Sequence, residues 1–389
     1  MKEVYIVAAK RTPIGGFLGS LSHLSATQLG AIAIKNAYQS ADLDPANIDA
    51  VYMGNVLSAD LGQSPARQVA IFAGIPDDKD ATTINKVCAS GMKATMLAAQ
   101  QIQLGLEHII VTGGMESMSN VPHYTMLRKS TKFGDTTFTD GLIKDGLTDV
   151  YNNFHMGKAA ELCVTKYGLS REQQDEYAMR SYKKAADATL NGKFKNEIIP
   201  ITVNPDGTVI VQSDEDVDKI IPEKVSKLKP VFEAKGTITA ANASNLNDGA
   251  AALILVSKEA IDKYNLKPLA KIIGYADAAQ APEWFTTSPS LAIPKALKQA
   301  NLSIKDIDFF ELNEAYAAVI LANQQILDLD NSKINVYGGA VAMGHPLGAS
   351  GARIIVTLLS VLKQEGGKYG VAAICNGGGA ASAIVIENI

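Results

Sequence analysis

An internal repeat restricts the fold of this 389-residue chain more than any other feature. Ile48-Asp49 leads into the apolar stretch Ala50 to Gly54 and then Asn55, as Ile307-Asp308 leads into Phe309 to Leu312 and then Asn313. Downstream, Thr83-Ile84-Asn85 stands before Cys88 as Lys333-Ile334-Asn335 stands before His345. The apolar runs His108 to Thr112 and Val371 to Ile374 each lead on into glycines. The same order at similar spacing implies two α/β halves built on one plan; the alternative is two generic α/β units that match by chance. In the first half, short apolar runs (Val4 to Ala8, Ala50 to Gly54, His108 to Thr112) alternate with helical periodicity (Ala26 to Gln39, Ser64 to Gly74, Ser90 to Leu104). That alternation predicts a mostly parallel sheet covered on both faces.

Between the repeats the sequence changes character. From about 119 to 239 it is richer in Lys, Asp, Asn and aromatic residues, with a helical patch at Arg171 to Asn191 and an irregular charged segment at Ser213 to Pro230. At that length it is an inserted subdomain rather than a structureless loop. The expected division is a first half over 1–118 that is rejoined by about 240–265, the insertion over 119–239, and a second half over 266–389.

A net charge of -4 provides no basic field, which argues against nucleic acid as a partner. Three cysteines without CxxC spacing speak against a disulfide framework or zinc ribbon and suit a reducing compartment. The N-terminus enters a strand at once, leaving no room for a signal peptide, and no apolar run approaches the ~18 residues of a membrane span. The expected compartment is the cytoplasm, with no membrane partner.

Four residues stand where chemistry could be done. Cys88, in Asn-Lys-Val-Cys-Ala-Ser-Gly-Met, lies at a strand-to-helix transition, where the positive end of the helix dipole lowers a thiol pKa; its other reading is a buried structural cysteine. His345, in Gly-His-Pro-Leu-Gly-Ala-Ser-Gly, precedes the apolar helix Arg353 to Leu362, where a histidine by itself is more often a capping or core residue. Its place in the repeat matches that of Cys88, so a pseudo-two-fold axis would bring the two helix starts together as a nucleophile and base require. Cys375 ends a strand and runs into Asn-Gly-Gly-Gly, whose free N–H groups are the raw material of an oxyanion hole, or merely a glycine turn. Asn313 sits at another strand end, able to hold a water or oxyanion or to cap the next helix.

The ordered set CASGM, NEAYA, GHPLGASG and CNGGG, with GGMESMSN, HMG and NASNLNDGAA, resembles the thiolase family over essentially the whole chain. The resemblance implies an α/β fold of duplicated halves, each with a mixed five-stranded sheet, in a layered αβαβα arrangement with an inserted loop subdomain over the active site. It implies reversible thiolysis of acetoacetyl-CoA, or Claisen condensation of two acetyl-CoA, through an acyl-Cys intermediate without prosthetic group. Cys88 would be the nucleophile, His345 its activator, Cys375 the acid/base on the α-carbon. One oxyanion site would use His345 with a water on Asn313, the other the N–H groups of Cys88 and Gly377. Leu147, His155, Met156, Phe232, Ala240 and Ser244 align with pantetheine contacts, and Lys219 and Lys224 are candidates for CoA phosphates. Pro-Glu-Trp-Phe at Pro282 to Phe285 resembles the mitochondrial-type short-chain branch, which implies tolerance of a 2-methyl group and a potassium ion at Tyr182, Ala240, Ala241, Ala243 and Val341. Tyr316 stands where the family usually has Phe and adds a hydroxyl near the acyl pocket; Leu347 replaces a frequent Ile. The family also implies a dimer or a homotetramer built as a dimer of dimers. A β-ketoacyl synthase-type enzyme shares the duplication but usually lacks a second cysteine followed by glycines. A Cys-His-Asn hydrolase and a non-catalytic CoA-binding relative are the remaining alternatives.

Overall fold

A computed structural model describes residues 2–128, 132–204 and 208–389. The first half supplies strands β1 (Val4–Arg11), β2 (Ala50–Gly54), β3 (Asp80–Ile84), β4 (Ile109–Ser117) and β5 (Asn247–Ser257), and the second β6 (Ala270–Ala279), β7 (Phe309–Leu312), β8 (Tyr369–Asn376) and β9 (Ala380–Asn388). Hydrogen bonding orders them β7-β8-β9-β6-β1-β5-β4-β2-β3, with Gly15–Gly16 added beside β5. Outward from the centre the pairings are antiparallel, antiparallel and parallel on both sides: β1/β5, β5/β4, β4/β2 and β6/β9, β9/β8, β8/β7. The repeated Asp has one job in each half. Asp49 Oδ2 accepts from His108 N and Ile109 N at 2.8 and 2.7 Å, and Asp308 Oδ2 from Lys368 N and Tyr369 N at 2.7 and 3.0 Å.

The halves differ in one respect from the expectation. The first has five strands; the second has four, because the counterpart of β3 shrinks to a single parallel bridge between Ile334 and Phe310. Nor are the two sheets wholly separate, since Val4 to Ile6 of β1 pair antiparallel with Ala270 to Ile272 of β6 and make one continuous ten-stranded sheet.

Helices α1 (Ala26–Ser40), α2 (Pro65–Phe72), α3 (Ser90–Leu104), α4 (Met156–Tyr167), α5 (Arg171–Leu190), α6 (Lys258–Tyr264), α7 (Pro289–Ala300), α8 (Ala317–Leu327) and α9 (Leu347–Glu365) complete the layers. The repeated pair α3 and α9 is central: α3 touches β4 and β9, and α9 touches β4, β5, β7 and β8. Every residue of α9 from Leu347 to Leu359 is buried, as a helix sandwiched between sheets must be. Three apolar clusters follow from this order: one around α1 and α2 outside the first half, one between the halves around α3 and α9, and one around α7 and α8 outside the second.

Glycine allows the central helices to approach. A Cβ on Gly91 of α3 would lie 2.9 Å from Gly348 O and Ala352 N of α9, and one on Gly351 would lie 2.6 Å from Met92 N. A Cβ on Gly114 of β4 would be driven into the Gly348 carbonyl. The helix starts are thereby locked side by side, which brings Cys88 and His345 to one place.

Candidate active site

Cys88 sits two residues before α3 on a strained elbow. Val87 has φ of 48°, a left-handed conformation that costs a β-branched residue on the order of 1–3 kcal/mol. The surroundings hold it there. Ser90 Oγ accepts from Lys86 N at 2.8 Å and donates to Val87 O at 2.6 Å, while Asn85 Oδ1 accepts from Val87 N at 3.0 Å. Lys86 Nζ reaches into the second half, where it pairs with Asp277 of β6 and lies 2.8 Å from Ser382 Oγ of β9. Lys93 binds the other oxygen of Asp277 at 2.7 Å. The backbone N–H groups of Gly377 and of Cys88 itself face the sulfur.

The helix start that favours the thiolate is opposed by burial. Burial pushes Cys88 up to about 12, against the smaller opposing effect of the Gly377 N–H. Cys375, buried at the end of β8, is likewise raised, first by burial and then by the neighbouring Cys88.

His345 lies in the turn before α9. Its backbone N donates to Asn247 Oδ1 of β5 at 2.9 Å. Ser350 Oγ donates to Pro346 O at 2.9 Å, so at its 2.6 Å contact with His345 Nδ1 it accepts. That assigns the proton to Nδ1 and leaves Nε2 with a lone pair. Nε2 is buried without a partner among the described residues. Burial, with the charge of Arg353 adding to it, pushes the imidazole down to about 3, so it rests as a neutral base. Asn313 Nδ2 and Oδ1 and Asn376 Oδ1 are also buried and unpartnered among the described residues.

Cys88, His345 and Gly377 open into a cavity of about 480 Å³. Of the residues singled out from the sequence, Cys88, Leu147, His155, Met156, Phe232, Ala240, Ser244, Phe285, Tyr316, His345 and Gly377 line it; Ala243 does too, whereas Asn313 and Cys375 lie just behind, 1% exposed. His155 caps α4 by accepting from Gly157 N at 3.0 Å, and its ring stacks on Phe232 at 4.6 Å. Phe232 meets Tyr316 edge-on at 6.1 Å. The Tyr316 phenol is raised by burial and then by Cys88 and Cys375, and no described residue hydrogen-bonds its hydroxyl. Met118, Leu142, Leu246 and Leu347, packed with Val56 and Leu57, form an apolar collar; of the four only Leu347 was singled out from the sequence, Met118 and Leu246 stand within quoted motifs, and no motif marked Leu142.

A second, more open cavity of about 540 Å³ shares Phe17, Ala240, Asn245 and Leu246 with the first, and carries Lys219, Lys224 and Tyr182. Lys219 is already paired with Asp216 at 2.8 Å and Glu215 at 3.2 Å, whereas Lys224 makes no ion pair among the described residues. A phosphate would find Lys224 the more available cation. Tyr182 and Val341 pack in one cluster, and Ala241 is buried.

The family of thiolase N-terminal domains matches residues 4–259, and that of thiolase C-terminal domains matches 266–388. The chain is 54% identical to the cytosolic acetyl-CoA acetyltransferase of Gibberella zeae, with 100% of this chain and 99% of the relative covered. It is 55% identical to acetyl-CoA acetyltransferase 2 of Arabidopsis thaliana, over 99% of this chain and 97% of that one. A crystal structure of a thiolase from Ascaris suum in complex with coenzyme A superposes with a TM-score of 0.96 at 47% identity, both chains fully covered. Human mitochondrial 3-ketoacyl-CoA thiolase gives 0.97 at 41%, covering 100% of this chain and 99% of that one.

Proposed function

The chain belongs to the thiolase family, and from that premise we propose that it is an acetyl-CoA C-acetyltransferase, which condenses two acetyl-CoA to acetoacetyl-CoA and cleaves it in reverse. The observation that carries this reading is the meeting of the repeated helix starts: Cys88 and an unprotonated His345 Nε2 open into one apolar cavity, with Cys375 and the Gly377 N–H beside them.

The chemistry starts from neutral groups. Cys88 Sγ attacks the thioester carbon as its proton passes to His345 Nε2, and the departing CoA sulfur takes a proton from Cys375. The product is an acetyl-Cys88 with a Cys375 thiolate balanced by an imidazolium. The thiolate then removes the α-proton of a second acetyl-CoA, the new carbanion attacks acetyl-Cys88, and the released Cys88 sulfur recovers its proton from His345. Oxygen charge in the two steps is met by the N–H groups of Cys88 and Gly377, and by His345 with a water on Asn313. High resting pKa values at both sulfurs suit this cycle, because neither thiolate exists until substrate creates it.

Pantetheine runs along Leu147, His155, Met156, Phe232, Ala240 and Ser244, with Lys224, and more weakly Lys219, toward the CoA phosphates. Phe285 and Tyr316 close the acyl end, which favours short chains. Residues 119–239 are the loop subdomain over the site. A potassium ion is supported by the neutral, hard oxygens on offer, the Tyr182 phenol and the carbonyls of Ala240, Ala241, Ala243 and Val341; it would stiffen the pantetheine loop. A cytosolic setting is supported by the name of the Gibberella relative, and no helix among the described residues is long and apolar enough to cross a membrane. A homotetramer and a place in lipid metabolism complete the reading.

The test is thiolysis of acetoacetyl-CoA, 2-methylacetoacetyl-CoA and a six-carbon 3-ketoacyl-CoA by wild type, Cys88→Ser and Cys375→Ser, each in potassium and in sodium buffer. Four-carbon cleavage that collapses in both variants is expected, by about 10³-fold or more. No CoA-dependent cleavage by wild type would sink the assignment; equal rates in the two buffers would remove the potassium ion.

A further inference from the structure

Against the first turn of α9, three residues on from His345, lies a carboxylate that the cycle above does not use. Glu116, near the end of β4, is fully buried. Its Oε1 accepts from Asn55 Nδ2 at 2.8 Å and Leu57 N at 3.1 Å, and its Oε2 from Gly348 N at 2.8 Å and Val56 N at 3.1 Å. Four donors and no acceptor suit the ionised form, since a protonated acid would have to turn an O–H toward an N–H. Burial nevertheless pushes Glu116 up to about 7 against these N–H groups. No cation pairs with it among the described residues, so its charge rests on those four bonds and on the positive start of α9.

The partners matter more than the charge. Val56 and Leu57 follow β2 and form part of the apolar collar; Gly348 is the second residue of α9, three after His345. From the adjacent strand, Asn247 of β5 holds the His345 backbone itself, and Gly249, two residues further along β5, is the cross-strand partner of Glu116. Two neighbouring strands of the first half thus grip the two ends of a short turn that belongs to the second half. We propose that Glu116 is a positioning residue for the reaction: it ties the first turn of α9 to the loop after β2, so that His345 keeps its bearing on Cys88. The proposal rests on the catalytic reading given above.

A double-mutant cycle tests it. Glu116→Gln exchanges one acceptor oxygen for an amide that meets donors, and is expected to lower kcat for acetoacetyl-CoA thiolysis about 10²-fold with KM changed less than about threefold. In a His345→Ala background the same substitution should cost less than about threefold, because the group it acts through is gone. An equal loss in both backgrounds, or a raised KM at unchanged kcat, overturns the proposal. If Glu116→Gln does not fold, as read by thermal melting, Asn55→Ala decides, since it removes one donor of four. A kcat lowered severalfold at unchanged KM and melting temperature then supports the proposal, and an unchanged kcat overturns it. Wild-type turnover in the same assay keeps the two readings apart: its absence sinks the catalytic assignment, while turnover with equal losses sinks only the role of Glu116.

Discussion

A thiol at a helix start on the floor of an apolar cavity is pulled two ways. The helix end favours the thiolate by about 0.3–1 kcal/mol, up to ~2 in partly buried geometry. Desolvation opposes it by up to 3–5 pKa units, roughly 4–7 kcal/mol. At Cys88 the second is larger, and the thiol rises to about 12. The sequence motif makes the helix start visible but not the depth of the cavity, which Leu142, Leu147 and Leu246, distant from Cys88 in the sequence, help to create. A consequence is measurable. With a raised pKa the free enzyme holds a protonated thiol throughout neutral pH, so alkylation of Cys88 by iodoacetamide, followed by peptide mass spectrometry, should climb without levelling up to pH 9. A plateau near pH 7 would mean that the dipole and the Gly377 N–H prevail over burial.

The two central helices act as elements through their glycines. Gly91 faces Gly348 and Ala352 across the crossing of α3 and α9, so one methyl group at position 91 must push two backbones apart. Gly91→Ala is expected to cost about 1–3 kcal/mol, the usual penalty for overpacking, and to lower kcat because the same shift separates Cys88 from His345. Melting temperature and thiolysis rate measured together check both; full stability and full rate would refute the close approach. Gly114→Ala, whose methyl would enter the Gly348 carbonyl, should not yield folded protein. Single elements were legible where periodicity was strong: Ala50–Gly54, Ser90–Leu104 and Phe309–Leu312 fall where the sequence puts them. Others were read short. β4 runs on to Ser117 through Gly113 and Gly114, and α9 begins at Leu347 through Gly348 and Gly351, because glycines that signal turns in isolation here serve close packing. Glu116 and Ser350 went unread for a related reason: both stand in quoted motifs, but what they hold is fixed only when the halves meet.

At the scale of the molecule the repeat is what the sequence carried best, since two equivalent aspartates, Asp49 and Asp308, mark matching strand pairs in both halves. What it carried least is the outer edge. β3 is the last strand of the sheet, bonded on one side to β2, and its counterpart in the second half is reduced to one bridge. An unpaired edge strand is a template for another chain, and nothing along Asp80-Ala-Thr-Thr-Ile84 blunts it with proline, lysine or a bulge. Its end leads by Asn85 to Val87 straight into the Cys88 elbow. A second copy paired antiparallel about a two-fold axis would therefore extend the sheet and brace both elbows at once, which supports the proposed oligomer. In such a pairing the middle residue, Thr82, meets itself. Thr82→Lys would set two ammonium groups opposite each other, a contact that costs roughly 0.2–1 kcal/mol or more relative to a neutral pair. Light scattering during size exclusion over a dilution series is expected to give a multiple of 41.2 kDa for wild type, and for Thr82→Lys a dissociation constant raised about fivefold or more, with thiolysis falling in step. A wild type that elutes as a monomer, or a lysine variant that dissociates no more readily than wild type, would mean that β3 faces solvent and that the elbow is braced only from within its own chain, by Asn85, Ser90, Asp277 and Ser382.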